Sequence, residues 1–133
     1  MMDTVSWKGK FLSIVYRDGY EFVQRVNSKG VVVILALTSE NKVLLIQQYR
    51  VPLNREIIEF PAGLVADTAE FDGEGLEAAA RRELLEETGY EAKSFQHVAN
   101  WPTTSGMSSE TVDVFIAKDL VKTGKGGGDS TEK

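Results

Sequence analysis

From Gly73 to Gly89 the chain carries a long helix-forming stretch, GEGLEAAARRELLEETG, with more carboxylates on one side than a helix would choose. The three alanines and the Leu, Glu and Arg residues are good helix formers, and Gly89 stands where a C-cap glycine is expected. At about 100° per residue, Ala79, Ala80, Glu83 and Glu87 share one face, with Glu86 on its shoulder. Two carboxylates one turn apart repel by a few tenths of a kcal/mol on a bare helix. A divalent cation between them removes that cost, and the small alanines leave room for it. The chain has no cysteine and one histidine, His97, so the available ligands are hard oxygens, which select magnesium or manganese over zinc. An acidic helix face is ordinarily just a solvated one. The fixed offsets of Glu74, Arg82 and Gly89 around these carboxylates argue for a site instead.

The remainder reads mostly as strands and turns. With 133 residues, 42% of them hydrophobic, the chain can bury one sizeable core and is too short for two ordinary domains. Asp18-Gly19 is a hairpin turn signal between strands over Phe11 to Val26. The run VVVILALT from Val31 predicts a strand covered on both faces and is far short of a membrane helix. Further strands are expected over Val43 to Tyr49, Glu56 to Phe60, Glu91 to Ala99 and Glu110 to Ala117. Loops are expected at Ala66 to Gly73 and Trp101 to Gly106, and His97 and Trp101 read as structural. Met1 to Lys10 reads as a loose arm, and the glycine-rich run after Val121 as a flexible linker or mobile loop.

Charge narrows the partners. A net charge of -5 disfavours non-specific nucleic-acid binding, which wants a basic face, so no DNA partner is expected. An acidic protein acting on an anionic substrate needs a cation between the two. The absence of cysteine suits a reducing compartment, and no signal peptide or membrane segment is legible, so a cytoplasmic protein without membrane contact is expected.

Glu74, seven further residues, and then Arg82-Glu83-Leu84-Leu85-Glu86-Glu87-Thr88-Gly89-Tyr90 closely resemble the signature of the Nudix hydrolases. The resemblance implies an α/β (α+β) fold, an α/β/α sandwich with a mixed sheet over residues 30–133. An antiparallel β-hairpin extension over residues 1–29 would precede it and form a homodimer, where Phe11, Tyr16 or Tyr20 could stack on a base or simply pack. Family members continue with a further strand and helix, so the domain is expected to be cut short at its C-terminal end. The resemblance also implies that Glu83, Glu86 and Glu87, with the main-chain carbonyl of Ala62, bind the catalytic Mg2+ (or Mn2+). Arg82 would orient the acidic cluster. The catalytic base would come from an acidic residue in the glycine-rich segment, Glu132 first and Asp129 second. One departure stands out: the signature's first glycine falls on Thr68, and the equivalent glycine is Gly63, so the intervening loop is five residues longer than usual.

Gln48-Tyr49-Arg50 followed by Ile58-Glu59-Phe60-Pro61-Ala62-Gly63 is similar to the ADP-ribose and nucleoside-diphosphate-sugar pyrophosphatases of that family. In them the residues matching Arg50 and Glu59 line the substrate pocket. An arginine there can pair with phosphate or stack on a base, or form a rim salt bridge with Glu56 or Glu59. Ser105-Gly106-Met107-Ser108-Ser109-Glu110 resembles a substrate loop of the same enzymes, with Ser105 where proline is usual, which implies contacts from Gly106, Met107 and Glu110. The implied reaction is metal-dependent hydrolysis of a nucleoside diphosphate sugar to a nucleoside monophosphate and a sugar phosphate. Two alternatives stay open. One is a hydrolase of nucleoside triphosphates, dinucleoside polyphosphates or capped RNA, and the other a non-catalytic nucleotide-sugar sensor.

Overall fold

The computed structural model of the protein describes residues 2–65 and 75–128. Asp18 and Gly19 take positive φ, 47° and 88°, as a two-residue hairpin turn of the mirror-image type requires. They join β2 (Leu12–Arg17) to β3 (Tyr20–Arg25) with Arg17 opposite Tyr20. The described part of the first ten residues is not the loose arm expected. Thr4–Lys8 forms β1 and pairs antiparallel with β2, completing a three-stranded sheet. All five β1 side chains are exposed, so no buried face advertises the strand in the sequence. Main-chain pairing holds it together with a bidentate ion pair, Arg17 Nε to Asp3 Oδ1 at 2.5 Å and Nη2 to Oδ2 at 2.7 Å. The hydrogen bond from that guanidinium holds the Asp3 carboxyl below the usual carboxylate range. Its contribution is therefore present above that range and lost as pH falls through the lowered value.

Val31–Ala36 is β4, with Val32, Ile34 and Ala36 fully buried on one face and the alternate residues half-buried on the other. Thr38 to Lys42 closes a tight turn with Asn41 in the left-handed region. Val43 then only bridges Leu37, and Leu44 donates to the carbonyl of Ala36. The strand expected from Val43 accordingly begins at Ile46. There β5 (Ile46–Arg50) leaves the sheet and pairs with β6 (Arg55–Glu59) as a separate two-stranded ribbon, turned by Pro52 and a left-handed Asn54.

The central sheet runs β7-β4-β9-β8, with β7 at Ala62–Leu64, β8 at Tyr90–Pro102 and β9 at Thr111–Lys122. Only β4 and β9 are parallel, so the sheet is mixed as expected. Strand β8 runs past Ala99 through residues read as loop, pairing Trp101 with Val112 and Pro102 with Thr111. A proline at a strand terminus need not cost a ladder bond, which is why it did not stop the strand. Helix α1 (Leu76–Thr88) lays Ala79, Ala80 and Leu84 on Val32, Ile34, Ala36, Phe115 and Ala117. It is the one α-helix among the described residues, and none there is long and apolar enough to cross a membrane.

The helix ends at Gly89, whose φ of 76° is the left-handed C-cap, with its N–H on the carbonyl of Leu85 at 2.9 Å. Thr88 Oγ1 donates to the Leu84 carbonyl at 2.5 Å and accepts from the Tyr90 N–H at 3.1 Å. Thr88→Val keeps the shape and removes both bonds, and it should cost about 1 kcal/mol in denaturant unfolding. The glycine-rich run as far as Gly128 is docked on this helix end rather than free. Thr123 and Gly124 donate to the Gly89 carbonyl, Gly127 to that of Glu87 and Gly128 to that of Glu86, all at 2.8–2.9 Å. These donors satisfy carbonyls that a helix terminus leaves without intrahelical partners.

Candidate active site

The helix face with the paired carboxylates is the buried one. Glu83 and Glu87 are 4% and 9% exposed, between alanines that are fully enclosed. Arg82 gathers the cluster: Nη1 donates to Glu83 Oε1 at 2.8 Å and to Glu86 Oε2 at 3.2 Å, while Nη2 donates to the Leu64 carbonyl at 3.1 Å. The guanidinium thus ties two helix carboxylates to strand β7. Its side chain is only 11% exposed, so the pairing acts in a poorly solvated setting where charge interactions are strengthened.

Strand β7 supplies the other wall. Ile34 donates to Pro61 and Val65 to Gly30, which fixes Gly30–Val65, Val32–Gly63 and Ile34–Pro61 as the hydrogen-bonded pairs of the ladder. The carbonyls of Ala62 and Leu64 therefore project from the free edge of the sheet, where Arg82 meets Leu64. Between them a Cβ built on Gly63 would coincide with the Glu83 carboxylate. Gly63 has no positive φ, so glycine is required there by the approach of Glu83 and not by backbone conformation.

Chemically this set suits a hard divalent cation, being glutamate carboxylates and an edge carbonyl with no sulfur or imidazole. Among the described residues no three acidic or histidine side chains converge as metal ligands, and Glu83 and Glu86 are both bonded to Arg82. Glu74, Asp129 and Glu132 lie outside the described residues.

Arg50 and Glu59 lie at opposite ends of the β5–β6 ribbon, in register with Arg55 and Ile46, and their side chains meet along it. Arg50 Nε lies 2.9 Å and 3.1 Å from the two Glu59 oxygens, and Nη2 is 2.9 Å from Oε2. The two substrate-pocket candidates thus form a forked salt bridge, one of the two roles foreseen for Arg50. Gly106, Met107 and Glu110 lie on the loop between β8 and β9, where the N–H groups of Met107 and Ser108 both donate to the Thr104 carbonyl at 2.9 Å. Glu110 forms an ion pair with Arg25 of β3, a partner 85 residues away that no local pattern in the sequence signals. His97 lies 2.9 Å from Asp113 and against the Phe115 ring. A cleft of about 700 Å3 among Thr38, Lys42, Tyr90 and Lys118 is lined by none of the candidate site residues.

The NUDIX domain pattern matches residues 27–132. The chain belongs to the NUDIX family. Within it, the chain is 42% identical over 95 residues to the ADP-ribose pyrophosphatase of Bacillus subtilis, a match covering 71% of this chain and 49% of that protein. It is 38% identical over 97 residues to the methanol dehydrogenase activator of Bacillus methanolicus, covering 73% and 50%. The chain spans about half the length of these curated relatives. A solved ADP compounds hydrolase superposes with a TM-score of 0.72 over 98% of this chain and 71% of that one, at 20% identity, so the NUDIX fold is shared well beyond the similarity of sequence.

Proposed function

We propose that this NUDIX domain hydrolyses the pyrophosphate bond of ADP-ribose or a related nucleoside diphosphate sugar, giving a nucleoside monophosphate and a sugar phosphate. The observation that carries the proposal is the buried Glu83 carboxylate seated on the bare Cα of Gly63 and bound by Arg82, beside the edge carbonyl of Ala62. Glu83, Glu86, Glu87 and that carbonyl would hold Mg2+ (or Mn2+). Bound there, the metal would neutralise diphosphate charge and acidify a water molecule. Arg82 restrains the carboxylates so that they do not have to be ordered during the reaction. Arg50 and Glu59, with Gly106, Met107 and Glu110, would orient the substrate. Glu132, or Asp129, would take the proton of the attacking water, whose oxygen bonds to one phosphorus while the bridging P–O bond breaks and the other phosphate leaves.

The names of the relatives support this substrate class, in particular the ADP-ribose pyrophosphatases of Bacillus subtilis and Mycobacterium tuberculosis, at 42% and 36% identity. The three-stranded extension over residues 1–29 exposes Val5, Trp7, Phe11, Tyr16 and Tyr20, apolar area that a homodimer would cover. A cysteine-free chain fits a reducing cytoplasm.

Product analysis tests the reaction. The protein is offered ADP-ribose, GDP-mannose, nucleoside triphosphates and dinucleoside polyphosphates, with magnesium, with manganese and with chelator. The expected result is nucleoside monophosphate plus sugar phosphate from the first two, lost with chelator. Turnover confined to triphosphates or dinucleotides would reassign the substrate, and tight binding of ADP-ribose without turnover would make the domain a sensor.

A further inference from the structure

The loop carrying Gly106, Met107 and Glu110 is built into the N-terminal sheet. Val23 of β3 donates its N–H to the Met107 carbonyl at 2.8 Å and accepts from the Ser109 N–H at 3.2 Å, forming a parallel bridge to Ser108. One residue on, Gln24 Nε2 donates to Ser109 Oγ at 3.2 Å, and the next, Arg25, ion-pairs through Nε with Glu110 Oε2. Three consecutive β3 residues thus hold three of the four residues from Met107 to Glu110. The remaining one, Ser108, uses its hydroxyl to accept the Glu110 N–H at 3.1 Å.

The same two segments wall a cavity of about 360 Å3, with Tyr20 and Phe22 on the strand side and Ser105 and Gly106 on the loop side. Whatever fixes the loop against β3 therefore fixes both walls. The Glu110 side chain is 21% exposed and Arg25 38%, so the pair is partly shielded yet open enough for the carboxylate to meet a ligand.

We propose that Arg25, seconded by Gln24, is a positioning residue for substrate recognition, orienting Glu110 and the Met107–Ser109 main chain of its own chain. This rests on the functional reading above, in which that loop contacts substrate. The N-terminal strands then set specificity from within one chain, whatever they add at an interface between copies.

Arg25→Ala should raise KM for the hydrolysed nucleoside diphosphate sugar about fivefold with kcat within twofold, the size expected of a half-exposed charge pair. Arg25→Lys should recover most of the loss. Hydrogen exchange of the full chain gives a second readout that needs no turnover. The amides of Val23 and Ser109 should exchange faster in Arg25→Ala and return towards wild type in Arg25→Lys, while α1 amides stay unchanged. Faster exchange in a protein that hydrolyses no nucleotide sugar would sink the functional reading and leave the coupling standing. Unchanged KM and exchange in Arg25→Ala, or loss spread equally over kcat and α1 protection, would overturn the coupling.

Discussion

Gly63→Ala should lower metal-dependent hydrolysis by about a hundredfold or more while the domain remains folded, since misplacing a reacting or ligating group by about 1 Å can cost that much. Gly63 lies in β7 with no positive φ, so alanine meets no conformational obstacle. The three atoms nearest the added methyl all belong to the Glu83 carboxylate, at the flexible end of a side chain that can turn away. Turning away takes Glu83 off Arg82 and off the β7 edge, in a site 4% exposed. Overpacking of this kind costs about 1–3 kcal/mol in stability, which thermal unfolding would register without loss of the fold. Kinetics on the double variant Gly63→Ala/Glu83→Gln separate the cause. If the alanine acts through the carboxylate, the double variant is no worse than Glu83→Gln alone. A Gly63→Ala protein with wild-type rates would remove Glu83 from the site.

How much of this was legible in the sequence depends on the reach of each interaction. The acidic helix face could be read because Ala79, Ala80, Glu83 and Glu87 recur at helical spacing, and that face is the buried one. The hairpin could be read because Asp18-Gly19 states its own backbone conformation. Strand β1 could not, since an exposed strand held by main-chain bonds and one ion pair leaves no alternation of burial. Arg25 with Glu110 could not either, since the pair joins segments 85 residues apart and no local pattern links the two residues. Gly63 stands out in the sequence by its place in a motif, but its reason, the approach of Glu83, belongs to tertiary packing. The glycine-rich run misled for a related cause. Glycines signal flexibility when they have nothing to approach, and here they signal closeness to a helix end.

That closeness carries the second large effect. Gly126→Ala should cost about 2–3 kcal/mol in stability and lower kcat more than tenfold, because alanine at positive φ costs about 1 kcal/mol or more and steric overlap adds to it. Gly126 has φ of 75°, and a Cβ there would lie 2.6 Å from the Thr88 carbonyl carbon and 2.9 Å from the Glu87 and Thr88 oxygens. These are backbone atoms of a capped helix and cannot give, so the segment must lift. Lifting breaks the bonds from Gly127 to Glu87 and from Gly128 to Glu86, releasing the last turn of the helix that carries both carboxylates. Gly127→Ala is the control. Its φ of 93° is equally unsuited to alanine, but a Cβ there meets nothing within 4 Å. It should therefore show the conformational cost alone, about 1 kcal/mol, with kcat close to wild type. Equal losses in the two variants would assign the effect to backbone conformation and remove the docked segment from any part in holding Glu86 and Glu87. A larger loss in Gly126→Ala, appearing in kcat with KM nearly unchanged, would mean that the glycines are selected for contact with the helix end and that the site extends to the segment closing over it.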